Sequence, residues 1–393
     1  MSRVIDEHRQ YLRDGHRLEA FARAIAATVR PGDRVVDLGS GTGVLGLLAC
    51  RAGARVVYAI EATGITGLAS DVRDANGFRD RMVFVRGHST SVSLPERADV
   101  IVTDQIGRFG FEGDILLYVE DARRRLLVPD ARFVPAAIDL HVAPVESGKM
   151  YERIEFWGSR PAGFDFHSVR HLAANTVYPA RLQPGNLLGA PATVVRLDLA
   201  TARSERFSFA VTLPIERSGT LHGLGGWFSA ELAAGVAGAS MSNSPLDACR
   251  IRRRQVFLPI EQPVAVTRGE RVHVRMQVLP EQSMVTWDVR VEHGAGAVDL
   301  FRHSTLHGML LTPEDLQHTR PASRPSLTLF GVARRSILEL CDGSRSLAEI
   351  EDEVYRRHAD LFATRDRAAV FVAEVVTRYA RDASDHTGTN GLH

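Results

Sequence analysis

The chain has almost no lysine: Lys149 is the only one among 48 basic residues, and arginine supplies the rest. That bias points to GC-rich coding and leaves the fold open. Cysteine is scarce as well. Cys50, Cys249 and Cys341 lie far apart, which excludes a disulfide framework and a cysteine-rich zinc site; no metal is expected. No run of about 18 apolar residues occurs, so no membrane-spanning helix and no membrane partner are expected. Met1 to Gln10 is polar and lacks an apolar signal core, so a cytoplasmic location is expected. An excess of one charge is also missing. With 48 basic against 47 acidic residues, there is no global electrostatic case for nucleic acid. What remains is 393 residues with 45% hydrophobic and 24% charged content, enough to bury two or three ordinary globular cores.

Leu18, Phe21, Ala22, Ile25 and Val29 share one helical face and predict a first helix over His8 to Val29, stopped by Pro31-Gly32-Asp33. Strand-like and helix-like segments then alternate from Arg34 to Leu127, as in a doubly wound parallel sheet. Near Phe133 the texture changes. Short alternating segments run to about Phe301 and predict an antiparallel barrel or sandwich. An aromatic-rich excursion interrupts them at Met150 to Val169. Thr312 to Pro325 holds three prolines and reads as a linker. Helical texture returns beyond it, with a capping box at Ser346-Leu347-Ala348-Glu349 and a last helix over Arg365 to Arg381.

The strongest local signal is Val35-Val36-Asp37-Leu38-Gly39-Ser40-Gly41-Thr42-Gly43. A buried strand runs into a glycine-rich turn and then a helix, where α/β folds let a ligand approach the backbone. A second strand ends in Glu61, whose carboxylate can accept from a ribose diol. A tight turn that needs glycine for its own geometry would look similar. The turn is G-x-G-x-G, however, and Asp37 sits two residues before Gly39. That pattern resembles methyltransferases that use S-adenosylmethionine (SAM).

From about Tyr11 to Glu292 the chain resembles the protein arginine methyltransferases, segment by segment. Tyr11 to Arg17 looks like the N-terminal helix that closes over the cofactor, with Arg17 where the family pairs an arginine with the SAM carboxylate. Asp37, Gly39, Gly41, Gly43 and Glu61 match its nucleotide motifs. Gly87-His88-Ser89-Thr90 falls where the family contacts adenine, which implies Ser89 and Thr90 as cofactor contacts, with Thr90 in place of the family's acid. Leu127 to Pro135 matches its passage into the barrel, and Gly163 to Phe166 resembles part of its dimerization arm. The departures lie at the chemistry. The family grips the substrate guanidinium, a planar fork of five donors, with two glutamates on one loop. Here that loop is Thr103 to Asp114. Asp104 replaces the first glutamate, and Gly113 stands at the second, flanked by Glu112 and Asp114. Asp104, Glu112 and Asp114 are therefore the candidate catalytic acids, although Glu112 and Asp114 also suit the start of a helix. The family's Thr-His-Trp loop becomes Arg250-Ile251-Arg252. Arg250, Arg252 and Arg254 would share one strand face, either simply solvated or forming a cationic rim that recruits an acidic substrate segment.

Residues 327–381 resemble a second family, the PqqD-like winged helix or RiPP recognition element, which binds leader peptides; a structural cap or a nucleic-acid reader would have similar texture. The combined expectation is an α/β protein. A Rossmann-like SAM-binding domain (1–135) precedes an antiparallel β-barrel (136–311) with a dimerization arm (about 148–185). A linker (312–326), a winged helix (327–381) and a disordered tail (382–393) follow. The expected function is SAM-dependent N-methylation of an amine in a ribosomally made peptide with a leader, by a homodimer. Arginine methylation of a protein or peptide, and SAM binding without turnover, are the alternatives.

Overall fold

The computed structural model describes residues 2–280, 284–294, 296–308, 322, 324, 326–362 and 364–380. The chain forms two compact units, Met1–Leu310 and Leu311–His393. Helix α1 (Ser2–Leu12) and helix α2 (Gly15–Thr28) open the first unit. The single helix expected over His8 to Val29 is thus broken. Asp14 ends one helix and caps the next, its side chain accepting from Arg17 N–H at 3.4 Å.

A parallel sheet follows, in the order β3-β2-β1-β4-β5. Its strands are β1 (Arg34–Leu38), β2 (Val56–Glu61), β3 (Met82–Arg86), β4 (Ala98–Thr103) and β5 (Leu127–Val134). Helices α3 (Val44–Arg51), α4 (Thr66–Ala75) and α5 (Ile115–Arg125) make the crossovers. β1 is central and buried from Val35 to Leu38, so its C-terminal end opens at the switch point where α/β sheets hold ligands.

The rest of this unit is antiparallel, but its strands pair in two sheets rather than in one closed cylinder. The first sheet runs β7-β12-β10-β6-β8, with β11 on β10. These are β6 (Ala137–Val145), β7 (Tyr178–Ala180), β8 (Ala192–Asp198), β10 (Gly219–Glu231), β11 (Ser240–Ser242) and β12 (Gln255–Val266). The second runs β15-β14-β13-β9, from β9 (Phe207–Pro214), β13 (Arg271–Leu279), β14 (Met284–Glu292) and β15 (Val298–Ser304). Both face one core that includes Leu224, Phe228, Leu258, Val274 and Trp287, all at most 2% exposed. The arm-like excursion is helical: α6 (Gly148–Glu155) and α7 (His167–Ala174) flank exposed Phe156, Phe164 and Phe166.

The second unit packs α8 (Leu329–Leu340), α9 (Leu347–Arg357) and α10 (Arg365–Tyr379) around Ile337, Leu340, Ile350, Val354 and Val372. The capping box forms: Glu349 accepts Ser346 N–H at 2.7 Å, and Ser346 accepts Glu349 N–H at 3.4 Å. Among the described residues this unit has no strand, so the wing of a winged helix is not among them. The linker expected at 312–326 lies almost wholly, and the tail at 382–393 wholly, outside the described residues.

Candidate active site

The turn after β1 takes the backbone its sequence demands. Gly39, Gly41 and Gly43 all have positive φ (73°, 53° and 81°), a region costly for any residue with a Cβ. The turn lines a cavity of about 350 Å³. Glu61 closes one side, accepting Gly41 N–H at 2.9 Å and Thr63 N–H at 2.8 Å. His8 and Tyr11 of α1 and Arg17 of α2 close another, and Asp104 and Gln105, just past β4, form the floor.

Asp37 does not line this cavity. Its Oδ2 accepts Gly46 N–H at 2.8 Å, tying β1 to α3. Complete burial, with Glu61 nearby, pushes its carboxyl up to about 7 against that hydrogen bond. Ser89 and Thr90 also stand off the cavity. The Ser89 carbonyl accepts from Arg125 at 2.7 Å, and the Thr90 hydroxyl lies 2.7 Å from His88 Nδ1.

Asp104 Oδ2 receives two guanidinium groups: Arg17 Nε at 2.6 Å and Arg253 Nη2 at 2.8 Å. The three side chains are only 7%, 11% and 13% exposed for Arg17, Asp104 and Arg253 respectively. Burial alone would raise Asp104, but the charges of Arg253 and Arg17 outweigh it and hold the carboxyl below its ordinary range. Two atoms of this cluster are buried without a partner: Arg17 Nη1 and Asp104 Oδ1. An unpartnered guanidinium N–H and an unpartnered carboxylate oxygen beside a glycine-rich turn suit a ligand that brings both a carboxylate and a donor.

The other two loop acids point elsewhere. Glu112 Oε2 accepts Arg108 N–H at 3.0 Å and Phe109 N–H at 2.6 Å. It is thus occupied by the backbone of its own loop, and burial raises its pKa. Asp114 caps α5 in position only, at φ 58° and with no side-chain cap bond. Gly113 leaves no room for a second carboxylate. A Cβ there would lie far inside van der Waals contact distance of the Gln105 carbonyl oxygen.

Residues 250–254 are not a strand face. Asp14 Oδ2 catches Arg252 N–H at 2.6 Å, and Asn243 Nδ2 donates to the Arg254 carbonyl at 3.0 Å, so laddering begins only at Gln255. Arg250 binds the Pro245 carbonyl and Gln183, and Arg254 is exposed. The arginine between these candidates, Arg253, is the one that enters the site. Together with Tyr11, Arg13, Arg17, Arg181 and Arg252, it lines a second cavity of about 500 Å³, which shares Tyr11, Arg17 and Arg253 with the first. Among the described residues no cluster of His, Cys, Asp or Glu is placed to hold a metal, and no helix is long and apolar enough to cross a membrane.

The chain is similar to known proteins in sequence and in fold. Residues 136–295 match the model of the arginine methyltransferase oligomerization subdomain, and residues 19–109 that of the ribosomal protein L11 methyltransferase PrmA. The arginine N(omega)-methyltransferase of Streptomyces achromogenes subsp. streptozoticus is 30% identical over 277 residues, covering 68% of this chain and 75% of its own. Protein arginine N-methyltransferase 1 of Chlamydomonas reinhardtii is 29% identical over 279 residues, 70% and 80% of the two chains. In fold, the Trypanosoma brucei PRMT1 enzyme-prozyme complex with AdoHcy superposes with a TM-score of 0.68 at 24% identity, covering 76% of this chain and 96% of that one.

Proposed function

The chain belongs to the arginine methyltransferase family, and on that footing we propose that it transfers a methyl group to a guanidino nitrogen of arginine. Kinship with named methyltransferases makes it a SAM-dependent methyltransferase. The acceptor reading rests on Asp104 Oδ1, a buried carboxylate oxygen without a partner at the floor of the cofactor cavity. Such an atom costs about 1–3 kcal/mol while unpaired, and an N–H of the acceptor removes that cost.

Bound SAM supplies an electrophilic methyl on a sulfonium leaving group. The residues of the chain bind and align. Arg17 Nη1 would hold the cofactor carboxylate and Glu61 the ribose, and the Gly39–Gly43 turn would let the cofactor lie against the backbone. Asp104 Oδ1 would accept an N–H of the acceptor and so orient the guanidino group in the cavity. A carboxylate held below its ordinary range by Arg17 and Arg253 is a weak proton acceptor at neutral pH. Asp104 therefore orients, and the proton released on methylation passes to solvent. The named relatives are arginine methyltransferases, which favours arginine over a peptide amine, the first reading of the sequence; Glu112, a candidate proton acceptor in that reading, is turned onto its own loop. The arginine reading replaces the amine reading, and SAM binding without turnover falls with the same kinship.

Two finer features complete the proposal. The oligomerization-subdomain match and the exposed Phe156, Phe164 and Phe166 of the arm support a symmetric homodimer. The second unit recruits the leader of a peptide substrate, a role supported by its exposed Leu329, Phe330 and Val370.

Mass spectrometry with fragmentation, after incubation with SAM and arginine or arginine peptides, should place a methyl on the guanidino group. Methylation confined to an amine overturns the reading. Asp104→Asn, with circular dichroism to verify folding, should cut turnover about 10²-fold through lost positioning of the acceptor while SAM still binds.

A further inference from the structure

The cavity beside the cofactor site has a pronounced charge. Arg13, Arg17, Arg181, Arg252 and Arg253 line it against a single acid, Asp14. Both oxygens of Asp14 already accept backbone N–H groups, from Arg17 and Arg252. Arg17 and Arg253 share one carboxylate, Asp104, at the back. Arg13, Arg181 and Arg252 form no ion pair among the described residues, and all three are exposed at the cavity. A guanidinium alone would be repelled from such a wall. With Gly113 closed to any side chain, no second acid offsets it.

We infer that the acceptor carries a carboxylate close to its guanidino group, and that Arg181 and Arg252, with Arg13, hold this carboxylate while Asp104 holds the guanidine. Guanidinium and carboxylate pair through two parallel N–H···O bonds, which fix orientation as well as affinity. The acceptor is then a zwitterion laid along the cavity, cationic end toward Asp104 and anionic end toward the arginines. Two sources supply that chemistry: the α-carboxylate of free arginine, or an acidic side chain next to arginine in a peptide. This inference rests on the guanidino reading above.

Four acceptors at matched concentration separate the possibilities: L-arginine, agmatine (the same guanidine without the carboxylate), an arginine peptide with Asp/Glu neighbours, and one with neutral neighbours. We expect KM at least about tenfold lower for the carboxylate-bearing member of a pair. The pair that shows the difference identifies the source. Arg181→Ala and Arg252→Ala should each raise KM for that substrate, and should lower KM for its carboxylate-free counterpart, which no longer meets the full cationic wall. Equal KM within both pairs, or variants that leave KM unmoved, overturns the inference. A binding arm keeps it separate from the guanidino reading: calorimetry of succinate with the protein loaded with S-adenosylhomocysteine. If no guanidino compound is methylated but succinate binds and the Arg181→Ala/Arg252→Ala double variant abolishes binding, the carboxylate site stands and the guanidino reading falls. If succinate also fails to bind, the carboxylate site falls with it.

Discussion

Asp37 was legible in the sequence as a residue of the cofactor motif, yet the structure places it behind the turn, bonded to Gly46 N–H. Its position gives stability a pH signature. Burial raises the folded-state pKa to about 7, against about 3.9 unfolded. The contribution is therefore fully present below about pH 4 and is lost as pH rises through 7. Asp37→Asn keeps an acceptor for Gly46 and removes the titration. Denaturant melts should show the variant holding more of its stability between pH 5 and 8, by about 1 kcal/mol or more at the upper end. Glu61 makes a simpler case. Glu61→Ala should weaken SAM binding by about 1–3 kcal/mol, read by calorimetry, since both the ribose and the turn lose an acceptor. Arg253 had no signal of its own. It is the middle of three consecutive arginines, and only the loop path set by Asp14 and Asn243 decides which one turns inward.

Elements with a clean period were readable, and those built for close approach were not. β1 and the capped α9 follow from buried apolar runs and Ser346–Glu349. Gly219, Gly223, Gly225 and Gly226 give β10 little strand-like texture in the sequence. In the sheet, a Cβ at Gly226 would lie 2.8 Å from Val256 Cγ2 and 2.9 Å from Phe109, so the glycines serve packing between a strand and the catalytic loop. The stripe from Leu18 to Val29 lies wholly after the break between α1 and α2, which only Asp14-Gly15 marks in the sequence. At the loop itself, Gly113→Ala should lower Tm by several degrees, because its Cβ meets the Gln105 carbonyl. Gly113→Glu should fail to raise turnover, in contrast to what the bare alignment of the loop suggests. Thermal scans and single-turnover rates check the two outcomes.

At the scale of the molecule, alternation of strand and helix followed by strand-rich texture was enough to predict a parallel sheet followed by an antiparallel region. The sequence left a barrel and a two-sheet sandwich both open, because period-2 alternation says which face is buried and not which strand is the neighbour; the strands pair in two sheets. The second unit, Leu311–His393, has a core of its own. Removing it should leave the SAM affinity and melting transition of Met1–Leu310 in place. The KM for a leader-bearing precursor should rise sharply, while that for a short core peptide stays constant. Loss of both activities together with a lower Tm would identify the unit as a structural cap.

The closed space at Gly113 also bears on redesign of the site. A carboxylate cannot be placed here by a codon change alone, because the Gln105 carbonyl occupies the volume its Cβ requires and the Glu112 carboxylate holds the neighbouring turn in place. Placing one demands that the path of the loop change first. The arginines around Asp104 are open to retuning by single substitutions, and a pair of acids is not.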